Sequence, residues 1–161
     1  MKITRPVMLA VVVLASVSFS VAHAQSRATA GPSLRDRMIG IWKLDSRSIK
    51  QPDGTTAPDP VYGTDPIGYI AYDRTGYMSV QFMRRNRPKG AGIDGYLAYF
   101  GTFTVDEQAK KVTHHVEGNV NPDGVGQDNV REVVLDGDKL MLVIRNADSP
   151  NVNINAFTRM K

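Results

Sequence analysis

The sequence predicts an all-β fold, an eight-stranded antiparallel up-and-down β-barrel with a short N-terminal helical turn. Three observations lead there. Beyond Gly40 the chain is a succession of short alternating or aromatic-rich segments punctuated by Gly, Pro, Asp and Asn, which is how strands and turns read. No ten-residue stretch of that region keeps helical spacing. Asp73-Arg74-Thr75-Gly76, Asp106-Glu107-Gln108-Ala109-Lys110 and Asp136-Gly137-Asp138 are short polar turns, so the strands they join should be antiparallel neighbours. Rolling such strands into a closed cylinder removes exposed edges and leaves an interior just wide enough for side chains or one small ligand.

The first 24 of the chain's 161 residues read as an export signal: Lys2 and Arg5, the apolar run from Val7 to Val21, and Ala22-His23-Ala24 as a small-x-small site. Cleavage is expected after Ala24, giving a periplasmic or secreted protein with no stable membrane insertion once residues 1–24 are gone. Losing Lys2 and Arg5 halves the formal charge of +4, too weak an excess to suggest nucleic acid. Residues 25–32 are rich in Ala, Ser, Thr, Gly and Pro and read as a flexible lead, which leaves one domain over residues 33–161.

Composition narrows the classes further. With 42% apolar and 22% charged residues the chain is globular, and with no cysteine it can hold no disulfide, thiolate zinc site or thiol nucleophile. Gly-x-Ser-x-Gly, His-Glu-x-x-His and Walker motifs are missing, so no strong motif supports a serine hydrolase, zincin or NTPase, and no cofactor is implied.

The elements follow in order. Ser33 with Asp36 three residues on caps a helical turn from Leu34 to Ile39 that stops at Gly40. Strands are expected near Ile41 to Ile49, Gly68 to Asp73, Tyr77 to Met83, Gly95 to Val105, Lys111 to Gly118, Asn129 to Leu135, Lys139 to Arg145 and Asn153 to Met160. Gln51 to Pro66 and Arg84 to Asp94 are too rich in Gly and Pro for strands and read as loops over a barrel mouth. Arg84-Arg85-Asn86-Arg87-Pro88-Lys89 is the one basic cluster, either a solvated loop or a collar steering an acidic ligand.

Alternation then assigns faces. Val112, His114 and Val116 share the apolar parity of their strand, as do Tyr99, Gly101 and Phe103 on the one before. Arg131 falls on the face of Val133 and Leu135, opposite Leu140 and Leu142; Ile70 and Tyr72 face inward with Met78 and Val80. The expected ligand-lining set is therefore Tyr72, Met78, Tyr99, Phe103, His114, Arg131 and Leu142. A one-residue slip would instead place His115 and Glu117 inside. Adjacent strand residues point apart, so His114 and His115 cannot share a metal, and no metal site is expected. An inward Arg131 demands either an acidic neighbour or an anionic or carbonyl-bearing ligand.

Gly40-Ile41-Trp42-Lys43-Leu44, Gly68-Tyr69-Ile70-Ala71-Tyr72, Gly76-Tyr77-Met78-Ser79-Val80-Gln81, Tyr96-Leu97-Ala98-Tyr99-Phe100-Gly101-Thr102-Phe103, Val112-Thr113-His114-His115-Val116-Glu117-Gly118 and Leu135-Asp136-Gly137-Asp138-Lys139-Leu140 resemble, in that order, the bacterial and fungal lipocalin-like domain family. The resemblance implies a calycin-type barrel in which Trp42 closes one end and stacks on Arg159, both structural. The segment before Tyr96 is shorter than in the family, and Gly118 to Gly126 lacks its aromatic residues, which implies a more open and more polar mouth. Three functions fit. The first is a carrier of a small hydrophobic or weakly acidic molecule. The second is a cofactor-independent isomerase, cyclase or lyase with His114 as acid or base, Arg131 as oxyanion stabiliser and Tyr72 or Tyr99 as proton donor. The third is a packed barrel acting through its surface.

Overall fold

The computed structural model describes residues 31–161; the signal and most of the lead expected from the sequence lie outside them. Helix α1 (Leu34–Met38) precedes β1 (Gly40–Lys50), β2 (Thr56–Pro58), β3 (Pro66–Tyr72), β4 (Tyr77–Arg84), β5 (Tyr96–Asp106), β6 (Lys111–Asn119), a single 3-10 turn (Pro122–Gly124), β7 (Asp128–Asp136), β8 (Lys139–Arg145) and β9 (Val152–Arg159). From β3 to β9 each strand pairs antiparallel with the next. β1 closes the cylinder, pairing with β3 through Gly40–Lys43 and with β9 through Trp42–Lys50. Among the described residues no helix is long and apolar enough to cross a membrane.

The barrel has the eight strands expected, with one added. Thr56–Pro58, inside the segment read as loop, pairs with Ser48–Lys50 as the extra strand β2. It is three residues long and exposed throughout, and its proline stands where an edge strand tolerates a missing N–H.

The tight hairpins form as their turn residues dictate. The Asp73 carboxylate accepts from the amide of Thr75 at 2.8 Å, and Gly137, at φ +52°, adopts the left-handed conformation of a two-residue turn that sets Asp136 opposite Lys139.

Two bulges interrupt the ladders. On β1, Leu44 lies opposite Phe157 but Ser46 lies opposite Ala156, so Asp45 is extra and the inward parity moves from Leu44 to Arg47. Between β5 and β6, Phe100 faces Gly118 while Gly101 faces Val116, and a β-carbon on Gly101 would stand 1.9 Å from the carbonyl oxygen of His115. Only glycine lets the strands approach this closely.

One end of the barrel is sealed. The Glu107 carboxylate accepts from the amides of Leu34 and Arg35 at 2.7 and 2.9 Å, and Arg35 and Arg37 donate to the carbonyls of Arg74 and Leu135, so α1 is tied to all three tight hairpins. Met38, the last residue of α1, and Trp42 are fully buried, and the Trp42 indole donates to the Met38 carbonyl at 2.8 Å. As the family resemblance implied, Arg159 lies over Trp42, 4.0 Å from the ring centroid, and it also donates to the carbonyls of Ile39 and Arg37. The five longer connections gather at the opposite end.

Candidate ligand-binding site

His114 is the centre of the interior polar network. Its strand places it inward with Val112 and Val116, all three buried, while His115 faces out, so the one-residue slip does not occur. Tyr72 reaches it from β3 and Tyr99 from β5: the Tyr72 hydroxyl is 2.8 Å from Nε2 and the Tyr99 hydroxyl 2.8 Å from Nδ1. Burial holds the imidazole neutral, its pKa lowered to about 3, with the charges of Arg131 and His115 acting in the same direction. Burial also raises the pKa of both phenols; the nearby Arg131 opposes this at each, and Arg47 opposes it at Tyr99.

Arg131 sits on β7 opposite Val112, on the face it was expected to take, and is half-buried. It has no carboxylate within salt-bridge distance among the described residues; its guanidinium donates to the carbonyl of Val130 at 2.9 Å. Arg47 differs. The β1 bulge turns it inward, where Nε donates to Asp59 at 2.7 Å, Nη1 donates to Asn155 at 3.1 Å, and the guanidinium lies 4.9 Å from the Tyr62 ring centroid. Asp59, Tyr62 and Asn155 are all buried. Strict alternation from Trp42 and Leu44 carries Arg47 to the outside, so this second cluster was missed; only the bulge reveals it.

The other expected lining residues belong to the packed wall. Phe103 meets Tyr72 edge-on, with centroids 4.8 Å apart, and carries Arg35 of the plug helix 5.3 Å from its own centroid. Met78 lies opposite Tyr72, and Leu142 lies between Val133 and Asn155. All three are buried. Toward the loop end the inward positions Ile49, Leu97, Asn129, Arg131 and Asn153 are only half-buried. The interior is thus packed most tightly beneath α1 and less tightly toward the loops. Clefts also score the outer wall, among them one of about 440 Å3 bounded by Lys43, Ile67, Tyr69, Gln81, Met83 and Arg85.

The basic cluster is largely spent on loop structure. Arg84 donates to the carbonyls of Val61 and Pro60, Arg85 pairs with Asp65, and Arg87 donates to the carbonyl of Asp94 and covers the Tyr96 ring. On the outer wall Thr104, His115 and Asp128 form a hydroxyl–imidazole–carboxylate chain, with 3.1 Å from Nε2 to Thr104 and 2.6 Å from Nδ1 to Asp128. It lies on an exposed, regular ladder whose amides are engaged between strands, so it braces β5, β6 and β7 without offering donors for an oxyanion.

A sealed cylinder with an inward histidine, two tyrosines and two arginines defines a small antiparallel barrel with an amphipathic interior. The chain belongs to the lipocalin-like domain family, whose model matches residues 39–157. Among solved structures it is similar to a lipocalin-like protein from Bacteroides uniformis, with 14% identity over 77% of this chain and 99% of the other and a TM-score of 0.45. A protein from Bacteroides eggerthii shares 12% identity over 76% of this chain and 99% of its own, with a TM-score of 0.44. A de novo designed fluorescence-activating β-barrel also shares 12% identity, over 80% of this chain and 99% of its own, with a TM-score of 0.44. No curated protein matches the chain.

Proposed function

We propose that this protein is an exported binding protein that takes a small, largely apolar molecule into the loop end of its barrel, with the Tyr72–His114–Tyr99 network and Arg131 orienting the molecule's polar end. The carrying observation is the gradient of burial along the interior: inward side chains are sealed around Trp42 and half-exposed around Arg131, Asn129 and Ile49. An apolar wall with a few converging polar groups is how small-molecule sites are built. Export rests on the pattern of residues 1–24, which supports a site of work in the periplasm or outside the cell.

The neutrality of His114 favours binding over catalysis. A general acid or base works best with a pKa near the operating pH, and a ring whose pKa lies at about 3 is a poor proton acceptor at neutrality. Native mass spectrometry of the protein purified from its own host is the direct test. A retained small molecule, or a small apolar compound that raises the thermal midpoint in proportion to its concentration, is the expected result. A protein that emerges empty and whose midpoint no compound raises overturns the reading.

A further inference from the structure

Hydrogen-bond accounting in the interior goes one step beyond that reading. A neutral imidazole has one N–H and one lone pair, and each tyrosine has one O–H. Tyr72 is wholly buried, and among the described residues its hydroxyl has one partner, Nε2 of His114. If Nε2 carried the proton, the Tyr72 O–H would be left buried without an acceptor, an arrangement folded proteins rarely tolerate. The satisfied arrangement is therefore Tyr72 O–H donating to Nε2 and Nδ1–H donating to the Tyr99 oxygen. That leaves the Tyr99 O–H free to donate into the interior that Arg131, a group that can only donate, also faces.

Charge accounting agrees with it. Of the two inward arginines, Arg47 is matched by Asp59 and Arg131 by nothing among the described residues, so the interior holds one unmatched positive charge. Donors converge, and among the described residues no carboxylate answers them.

Resting on the binding reading above, we propose that the ligand is an organic acid whose anionic oxygen, a carboxylate or an enolate, sits between the Tyr99 hydroxyl and the Arg131 guanidinium, with its apolar body toward the wall. Both contacts would be charge-assisted hydrogen bonds, the kind that discriminates most strongly against a neutral analogue.

The test uses matched probes. N-phenyl-1-naphthylamine, neutral and fluorescent in apolar surroundings, reports on occupancy of the barrel, and decanoate and decanol compete with it at pH 7. Decanoate is expected to displace the reporter roughly tenfold or more better than decanol. Arg131→Gln brings that ratio close to one, and Tyr99→Phe lowers it; should the tyrosine variant not fold, the arginine variant carries the test. Phe100→Ser, which trims the exposed outer wall, leaves the ratio as it was. A reporter that binds while decanol competes as well as decanoate overturns the acid assignment and leaves the binding reading standing. A preference that survives Arg131→Gln, or that follows Phe100, overturns it too. If neither the reporter nor either competitor binds by fluorescence or calorimetry, the binding reading itself falls and takes the assignment with it.

Discussion

Arg47 and Asp59 meet inside the barrel mouth, Nε to Oδ2 at 2.7 Å, and the pair fastens the connection between β2 and β3 across the loop end. The other Asp59 oxygen accepts from the amide of Val61, and its carbonyl accepts from the amides of Tyr62 and Gly63, so one buried carboxylate organises the whole crossing. Asp59→Ala leaves the guanidinium of Arg47 without its anion. The expected loss is about 3 kcal/mol, read as a lower midpoint in urea. Arg47→Met on that background should restore much of it, because no buried charge then lacks a counter-ion; a double-mutant cycle showing no coupling contradicts the assignment.

Stability should depend on pH through His114. The folded ring has its pKa lowered to about 3 from the 6.5 usual for histidine, so between these values the unfolded chain binds a proton that the native state refuses. The contribution is complete above pH 6.5 and is lost as pH falls toward 3, with a slope of at most about 1.4 kcal/mol per pH unit. His114→Gln should flatten the acid limb relative to wild type in urea titrations at stepped pH. Parallel limbs would place the titration elsewhere.

The tautomer of His114 is directly observable. In 15N spectra at neutral pH, Nδ1 should show the shift of a protonated nitrogen and Nε2 that of an unprotonated one. Tyr72→Phe removes the donor to Nε2 and should cost about 1–3 kcal/mol, with the Nε2 resonance moving. The opposite tautomer in the wild-type protein would refute the donor assignment at Tyr99.

Gly101 carries a purely steric prediction. A methyl group there meets the His115 carbonyl oxygen at 1.9 Å, with backbone on both sides and no flexible side chain to yield. Gly101→Ala should cost about 3 kcal/mol or more, visible as a large fall in thermal midpoint or as failure to fold. A midpoint within a few degrees of wild type would mean that the bulge relaxes.

What the sequence could convey was what strand alternation and turn chemistry encode. Val112, His114 and Val116 fall inside because parity is strict along β6, and Arg131 follows from Val133 and Leu135 by the same rule. Asp136-Gly137 fixes its hairpin because few other dipeptides accept that turn. Alternation fails where a residue is inserted. Asp45 shifts the parity of β1, and with it the guanidinium of Arg47, an event that leaves no mark in local composition. Strand β2 escaped because Pro58 and its short length argue against a strand unless Ser48–Lys50 is already known to lie alongside. The basic segment after Phe82 read as either a solvated loop or a collar because charge is visible in a sequence, whereas the carbonyls of Pro60 and Val61 that occupy Arg84 are not.

The arrangement of the two ends also decides how the molecule can be tethered. Lys161 lies beside Asp138 at the plugged end, across the barrel from the longer connections. A surface or reporter attached through Lys161 therefore holds the cylinder upright with those connections facing the bulk solution. Immobilised this way, the protein should keep its loop end as accessible to solvent as it is when free.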